Sequence, residues 1–337
     1  MSSNQITIKD IARILGISAS TVSRALKNHP DISEATKKAV NELAKKLNYE
    51  PNAVALSLKH SRSNTIGVII PEIVHYFFSS VISGIEDVAY DAGFTVIICQ
   101  SNERYDREVA NVKALLSHRV DGVLVAISKE THQYDHLFSI QDRNVPMVFF
   151  DRVIPEIETD HVIIDDQKAS YEATKHLIDG GRKRIAHFAG PQNLSIGIER
   201  RIGYEQALKD ANLPVIPELI IEADSFEKAI KATNKLLDLE NPPDGIFAVN
   251  DLTAIGAMQT LQKRGIKIPK QIAVVGFSDG RFSGITDPTL TSVDQHGYEM
   301  GSVATKMLLR RLLNPNYDAP AQSHVLDANL IVRGSSI

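Results

Sequence analysis

The stretch Thr7–Asn28, TIKDIARILGISASTVSRALKN, limits what this chain can be more than any other. It reads as two short helices joined by a tight turn. Thr7 can cap the first, with Asp10 completing a capping box. Ile8, Ile11, Ala12 and Leu15 share one face at helical spacing. Gly16, free to adopt positive φ, ends that helix. Ser18 can cap the second, and Ile17 before it can staple onto Val22. Val22, Ala25 and Leu26 then form a buried stripe, with Ala19, Ser20, Ser23, Arg24 and Lys27 outside. On that outer face small polar residues come first and cations later. A helix that enters the major groove of DNA needs this order. Small side chains permit close approach at its N-terminus, and hydroxyls and cations meet base edges and phosphates.

Charge divides the chain in the same place. The 337 residues carry a net −4, with 43% hydrophobic and 23% charged residues, an ordinary balance for a soluble globular protein of two or three domains. Residues 1–62 hold ten Lys/Arg against five Asp/Glu, a net +5, and the rest carry −9. A basic segment on an acidic body points to a polyanion met only by the N-terminal end. No apolar run approaches the ~18 residues that cross a bilayer. The start, MSSNQITIKD, lacks the cationic-then-apolar pattern of a secretory signal. The one cysteine, Cys99, excludes an intrachain disulfide and fits a cytoplasmic location. Within FTVIIC it reads as a buried strand thiol.

A third helix follows, started by Ile32 and Ser33. Ala35, Ala39, Val40, Leu43 and Leu47 are expected on one face and Lys37, Lys38, Lys45 and Lys46 on the other. Three helices in residues 1–50 suit a DNA-binding head. Pro51 then restarts the chain, and AVALSLKH within residues 51–62 can form two turns. A helix that short is unstable alone and is expected to order with a partner. From residue 63 the pattern becomes β-rich runs alternating with helical stretches. The first set is Thr65–Ile70, Phe94–Cys99, Gly122–Ile127 and Val145–Phe150. The second is Ile185–Ala189, Leu219–Glu222, Gly245–Val249 and Ile272–Phe277. Continuous apolar runs between helices predict two parallel sheets buried on both faces, in two similar halves, with Val162–Ile164 and Thr291–Val293 near the crossovers. Ligands of such sheets bind beyond the carboxyl ends of the strands. Those ends lead to His75, Tyr76, Phe77 and Phe78, to Asp151 and Arg152, to Arg200, to Asn250 and Asp251, and to Ser278 and Asp279. Aromatic walls with Arg, Asn and Asp suit a small polyhydroxylated or heterocyclic ligand. Asp251 and Asp165 are equally readable as helix caps.

The run TIKDIARILGISASTVSRALKN, then ISEATKKAVNELAKKLNYEPNAVALSLK, then VVGFSDG, DPTLTSVDQ and the terminal LIVRGSS resemble the lactose-repressor (LacI/GalR) family of bacterial transcription factors over nearly the whole chain. The resemblance implies a multi-domain chain. It has an all-α helix-turn-helix head and an α/β, two-subdomain, periplasmic-binding-protein-like core with parallel sheets. The core would fall into an N-subdomain, about 63–162 and 294–320, and a C-subdomain, about 163–293 and 321–337, joined by three crossovers. By the same pattern Ala19, Ser20 and Arg24 would face bases, and Thr7, Thr21, Ser23, Asn28 and Ser33 would hold phosphates. Asn52, Ala55 and Leu58 would belong to the hinge, with Leu58 as the wedge in the minor groove. Phe77, Phe78, Asp151, Arg200, Phe226, Asn250 and Asp279 would contact an effector. Many family members carry two acids after the glycine-aromatic pair, whereas here the first is Ser278. The implied function is a dimeric, effector-controlled repressor of a near-palindromic double-stranded operator. No enzyme activity, cofactor, metal or membrane partner is expected. No heptad tail follows the last body strand, so the expected assembly is a homodimer.

Three rival signals stand beside this. Gly276-Phe-Ser278-Asp-Gly280 matches the G-x-S-x-G elbow of serine hydrolases, with Asp287 and His296 downstream, but RFSGITDPTL has no helical stripe. His132 and His136 have a chelating spacing without a third ligand and read as a solvated surface pair. A cytoplasmic small-molecule binding protein would explain the body and leave the head unexplained.

Overall fold

The computed structural model describes residues 6–49, 62–314, 317 and 319–337. The chain divides into two compact units, residues 1–63 and residues 64–337. Asn52, Ala55 and Leu58, expected in a hinge, lie outside the described residues.

The first unit contains α1 (Ile8–Leu15), α2 (Ala19–Leu26) and α3 (Glu34–Lys46). Thr7 precedes α1, and the Asp10 carboxylate accepts hydrogen bonds from the Thr7 N–H at 3.0 Å and from its hydroxyl at 2.7 Å. Gly16 closes α1 at φ +65°, a region closed to most side-chain-bearing residues. Ser18 Oγ accepts from the Thr21 N–H at 3.1 Å, and Ser33 Oγ from the Thr36 N–H at 3.3 Å, so both later helices start on a hydroxyl cap. Ile11, Ala12, Val22, Ala25, Val40 and Ala44 form the small core. The α3 face differs from expectation. Ala35 and Ala39 are exposed, whereas Ala44 and the stem of Lys37 are buried, and the Lys37 ammonium reaches Glu34 at 2.7 Å. The buried stripe is therefore set by Val40 and its turn neighbours, and Lys37 covers the core edge with methylenes while keeping its charge paired.

The second unit is two six-stranded sheets. The first contains β1 (Thr65–Ile70), β2 (Thr95–Gln100), β3 (Gly122–Val125), β4 (Met147–Phe150), β5 (Asp160–Ile164) and β11 (Ser323–Leu326), ordered β11-β5-β4-β3-β1-β2 and parallel throughout. The second contains β6 (Ile185–Ala189), β7 (Ile220–Glu222), β8 (Gly245–Ala248), β9 (Ala273–Phe277), β10 (Thr291–Asp294) and β12 (Asn329–Ile331), ordered β12-β10-β9-β8-β6-β7, with β12 antiparallel to β10. Helices α4 (Tyr76–Asp91), α5 (Tyr105–Ser117), α6 (Asp135–Gln141), α7 (Asp166–Asp179), α8 (Ser195–Asp210), α9 (Phe226–Leu237), α10 (Asp251–Lys263) and α11 (Gly297–Leu313) make the crossovers and cover the sheets.

Alternation of side chains explains the two-faced cores. Ile66, Val68, Ile70, Val148 and Phe150 enter one apolar cluster, and Ile69, Met147 and Phe149 enter the cluster on the other face. In the second sheet Phe247, Val275 and Phe277 face one way and Ile246, Ala248 and Val274 the other. The chain crosses between sheets after β5, after β10 and again between β11 and β12. Residues Asp294 to about Pro320, with α11 packed on α4, return to the first half. The expected return to the second half from residue 321 is corrected: Ser323–Leu326 still pairs with β5, and only Asn329–Ile331 joins the second sheet. Three of the four β11 residues are exposed, so this edge strand lacks the apolar run that marks the others.

Candidate nucleic-acid interface and ligand cleft

In the head, burial of Val22 and Ala25 turns the opposite side of α2 to solvent. Ser20, Arg24, Lys27 and Asn28 are exposed there, and Ala19, Thr21 and Ser23 are half-buried. Arg24 lies 4.0 Å from Asp31, a loose pair between side chains both more than half exposed. Such a pair holds the guanidinium weakly and leaves it able to turn to a phosphate or a base edge. Thr7 and Ser33, both exposed, stand at the N-termini of α1 and α3, where helix dipoles and N–H groups favour a phosphate.

In the body, the carboxyl ends of strands from both sheets converge on a cavity of about 380 Å³. The first sheet sends Glu72 after β1, Glu103 after β2, Lys129 after β3 and Asp151 with Arg152 after β4. The second sends Arg200 from α8, Asp224 and Phe226 after β7, Asn250 after β8, Ser278 after β9 and Gln295 after β10. Phe77 and Phe78, edge to face at 5.2 Å, supply an aromatic wall from α4. Phe77, Phe78, Asp151, Arg200, Phe226 and Asn250 are thus brought together.

Each polar group is held in place. Arg200 is buried, donates from Nε to Asp166 at 2.6 Å and from Nη1 to the Val249 carbonyl at 2.8 Å, and lies 3.8 Å above the Phe277 ring. Arg152 forks onto Glu103 at 2.8 and 2.9 Å and donates to the Ile127 carbonyl at 2.9 Å. Burial pushes the Glu103 carboxyl up, but the Arg152 charge and hydrogen bonds, with the Lys129 N–H, outweigh it and hold the group below the usual carboxylate range. Asp151, at φ +62°, is raised by burial, which the charges of Arg152 and Arg200 offset only in part. Burial likewise lifts Asp166 to about 6 against the pull of Arg200. Asn250 caps α10 by accepting from the Thr253 N–H at 2.9 Å, and its amide donates to the Asp224 carbonyl at 3.0 Å. The cap reading also holds for Asp165, which accepts from the Lys168 N–H at 2.8 Å. Asp251 is instead a buried hub, accepting from the Gly280 N–H at 2.6 Å and from the hydroxyls of Ser283 and Ser292 at 2.9 and 2.5 Å.

Asp279, alone of the expected effector contacts, does not line this cavity. Ser278 (φ +107°) and Asp279 (φ +45°) both have positive φ. Ser278 lines the cleft, whereas Asp279 does not and is gripped by both Nη atoms of Arg333, at 2.5 and 3.0 Å, beside a second hollow that Ser278 also borders. The hydrolase constellation is absent from the same place. The Ser278 hydroxyl donates to Gln295 Oε1 at 2.7 Å, and a 3-10 turn, Arg281–Gly284, follows it. His136 also departs from expectation. It is buried, with Nε2 2.8 Å from Glu108, and no group of three potential metal ligands occurs among the described residues.

Glu103, Lys129, Asp224 and Gln295 were not singled out from the sequence. Each follows a strand by one to four residues, so the strand-end rule that found Asp151 and Asn250 applies to them too. Their strand ends lacked a conspicuous aromatic or paired motif.

Comparison with known proteins places both units. Residues 7–52 match the family described as bacterial regulatory proteins, lacI family, and residues 63–331 match periplasmic binding proteins and sugar binding domain of LacI family. The HTH-type transcriptional repressor CytR of Escherichia coli (strain K12) is 34% identical over 331 residues, 98% of this chain and 96% of that protein. A solved complex of the transcriptional regulator CelR with cellobiose is 28% identical, with a TM-score of 0.74 over 98% of this chain and 99% of that one. The lac repressor dimer bound to operator and the anti-inducer ONPF has the same fold, with a TM-score of 0.87 at 24% identity over 99% of this chain and 100% of that one.

Proposed function

This chain belongs to the lacI family of bacterial regulatory proteins, and from that premise we propose that it is a transcriptional repressor binding a near-palindromic operator as a homodimer under control of a small molecule in its cleft. The observation that carries this reading is the second helix of the head. It is capped and buried on one side, with Ser20, Arg24, Lys27 and Asn28 exposed on the other. One such head makes too few contacts for useful specificity, and two related by a twofold axis read two half-sites. Apolar residues on the body surface support pairing: Val74 is 71% and Ile285 76% exposed, and Val74, Tyr76 and Phe282 border one hollow. The cleft gathers residues from both sheets, so a ligand that prefers one relative placement of the halves shifts the balance by its differential affinity. The cellobiose bound by CelR favours a hydroxylated ligand here as well. No helix among the described residues is long and apolar enough to cross a membrane, and the proposed work on operator DNA calls for a cytoplasmic protein.

Gel-shift titration with genomic fragments, with and without a panel of sugars and nucleosides, tests the proposal. We expect saturable binding to a subset of fragments, a dimer by sedimentation, and loss of binding on deletion of residues 1–62. Retained binding by the deletion variant would remove the head from the interface.

A further inference from the structure

We infer that Glu103 sets the charge selectivity of the cleft: by occupying Arg152 it closes the site to phosphorylated and other anionic metabolites and reserves it for uncharged hydroxylated ligands. The inference rests on the cleft being the effector site.

The cations lining this cavity are already paired with acids. Arg152 is forked by Glu103. Arg200 is bound by Asp166 at 2.6 Å and by a carbonyl. Lys129 Nζ lies 3.1 Å from Asp224. Asp151, 3.7 Å from Arg152 Nε, and Glu227 are further acids on the lining. The site is thus a cavity with more carboxylates than cations, and its arginines face their partners. A phosphate monoester, carrying about −1.5 to −2 near neutral pH, would have to displace the buried Glu103 carboxylate to reach the fork of Arg152. That would leave a carboxylate desolvated and unpaired, the costly arrangement for a buried charge. An uncharged sugar or nucleoside ring avoids this. Its hydroxyls can donate to Asp151 and accept from Asn250, and its apolar face can lie against Phe77, Phe78 or Phe226.

Glu103 is the residue on which this turns. It is 8% exposed and accepts three hydrogen bonds, two from Arg152 and one from the Lys129 N–H at 2.8 Å. Its backbone sits at φ +58°, following Asn102 at φ +52°. Two successive side-chain-bearing residues in the left-handed region are uncommon. The conformation brings Glu103 between Arg152 and Lys129, where one carboxylate meets both.

The test uses the full chain without DNA, so that failure here is separate from failure of operator binding. Inorganic phosphate, and the matched pairs glucose with glucose 6-phosphate and cytidine with cytidine monophosphate, are titrated by calorimetry against chloride at equal ionic strength. Wild-type protein is expected to show no saturable cleft binding of phosphate or of either phosphorylated member. Glu103→Gln keeps the side-chain shape and removes the carboxylate forked onto Arg152, leaving only the more distant Asp151 at 3.7 Å, and it should bind phosphate at least tenfold more tightly. Adding Arg152→Met should abolish that gain. Glu103→Ala, which removes the same carboxylate, serves if Glu103→Gln does not fold, and the same gain is expected. Saturable phosphate or phosphate-ester binding by the wild type that Arg152→Met removes would overturn the inference. So would a folded Glu103→Gln protein as indifferent to phosphate as the wild type. Preference for glucose or for cytidine distinguishes the two uncharged sources.

Discussion

Replacing Asp279 by Asn separates two roles that its position after β9 could serve. As an effector contact its loss would lower ligand affinity. In the structure it is instead the anchor for Arg333, through two charge-assisted hydrogen bonds, between side chains 14% and 24% exposed. Such bonds contribute roughly 1.5–3 kcal/mol each where well buried. Partial exposure, and the remaining bond from Arg333 to the Leu290 carbonyl, reduce the expected net loss to about 2–3 kcal/mol. In a body of this size that is a fall in Tm of about 4–6 °C. Circular-dichroism melting reads the fall, and calorimetry with whichever sugar shifts the operator complex reads the affinity, expected to change less than threefold. An unchanged melting temperature with a tenfold loss of affinity would refute this reasoning and return Asp279 to the cleft.

Other changes probe the head, the helix packing and the buried acids. Arg24→Ala removes an exposed side chain with one loose partner, so the head should stay folded while each half-site loses about 1–3 kcal/mol of discrimination at one base position; fluorescence anisotropy on an operator and its single-base variants measures it, and equal loss on every sequence would argue against base readout. A Cβ at Gly301 would meet the Val81 carbonyl oxygen at 2.0 Å, so Gly301→Ala should force α11 away from α4 and lower the Tm of the body by several degrees; an unchanged melt would contradict that packing. Burial lifts Asp251 to about 6, above its unfolded value of 3.8, despite bonds from Ser292, Gly280 and Ser283. The folded state therefore takes up the proton first, and the contribution of this group to stability grows as pH falls from about 6 towards 4. Urea midpoints for wild type and Asp251→Asn across that window should differ in slope, and parallel curves would show that Asp251 does not titrate there.

Features of the structure were legible in proportion to how local their physics is. The helix starts at Ser18 and Ser33 and the stop at Gly16 depend on groups within one turn, and they could be read directly. The strands were legible because parallel strands buried on both faces leave continuous apolar runs, and β11, with three exposed residues, was assigned to the wrong half for want of that signal. The cleft was half legible. The strand-end rule located Asp151, Arg200 and Asn250, but which acids meet which cations depends on residues 49 positions apart for Arg152 and Glu103 and 54 apart for Arg333 and Asp279. Asp279 shows why motif position alone misleads here. Asp279 is held by Arg333, and the residue of that loop that lines the cleft is Ser278. A hydroxyl there, already donating to Gln295, adds no charge to a cavity already rich in carboxylates. The departure from two successive acids is therefore consistent with a site whose selectivity comes from paired charges elsewhere on its rim.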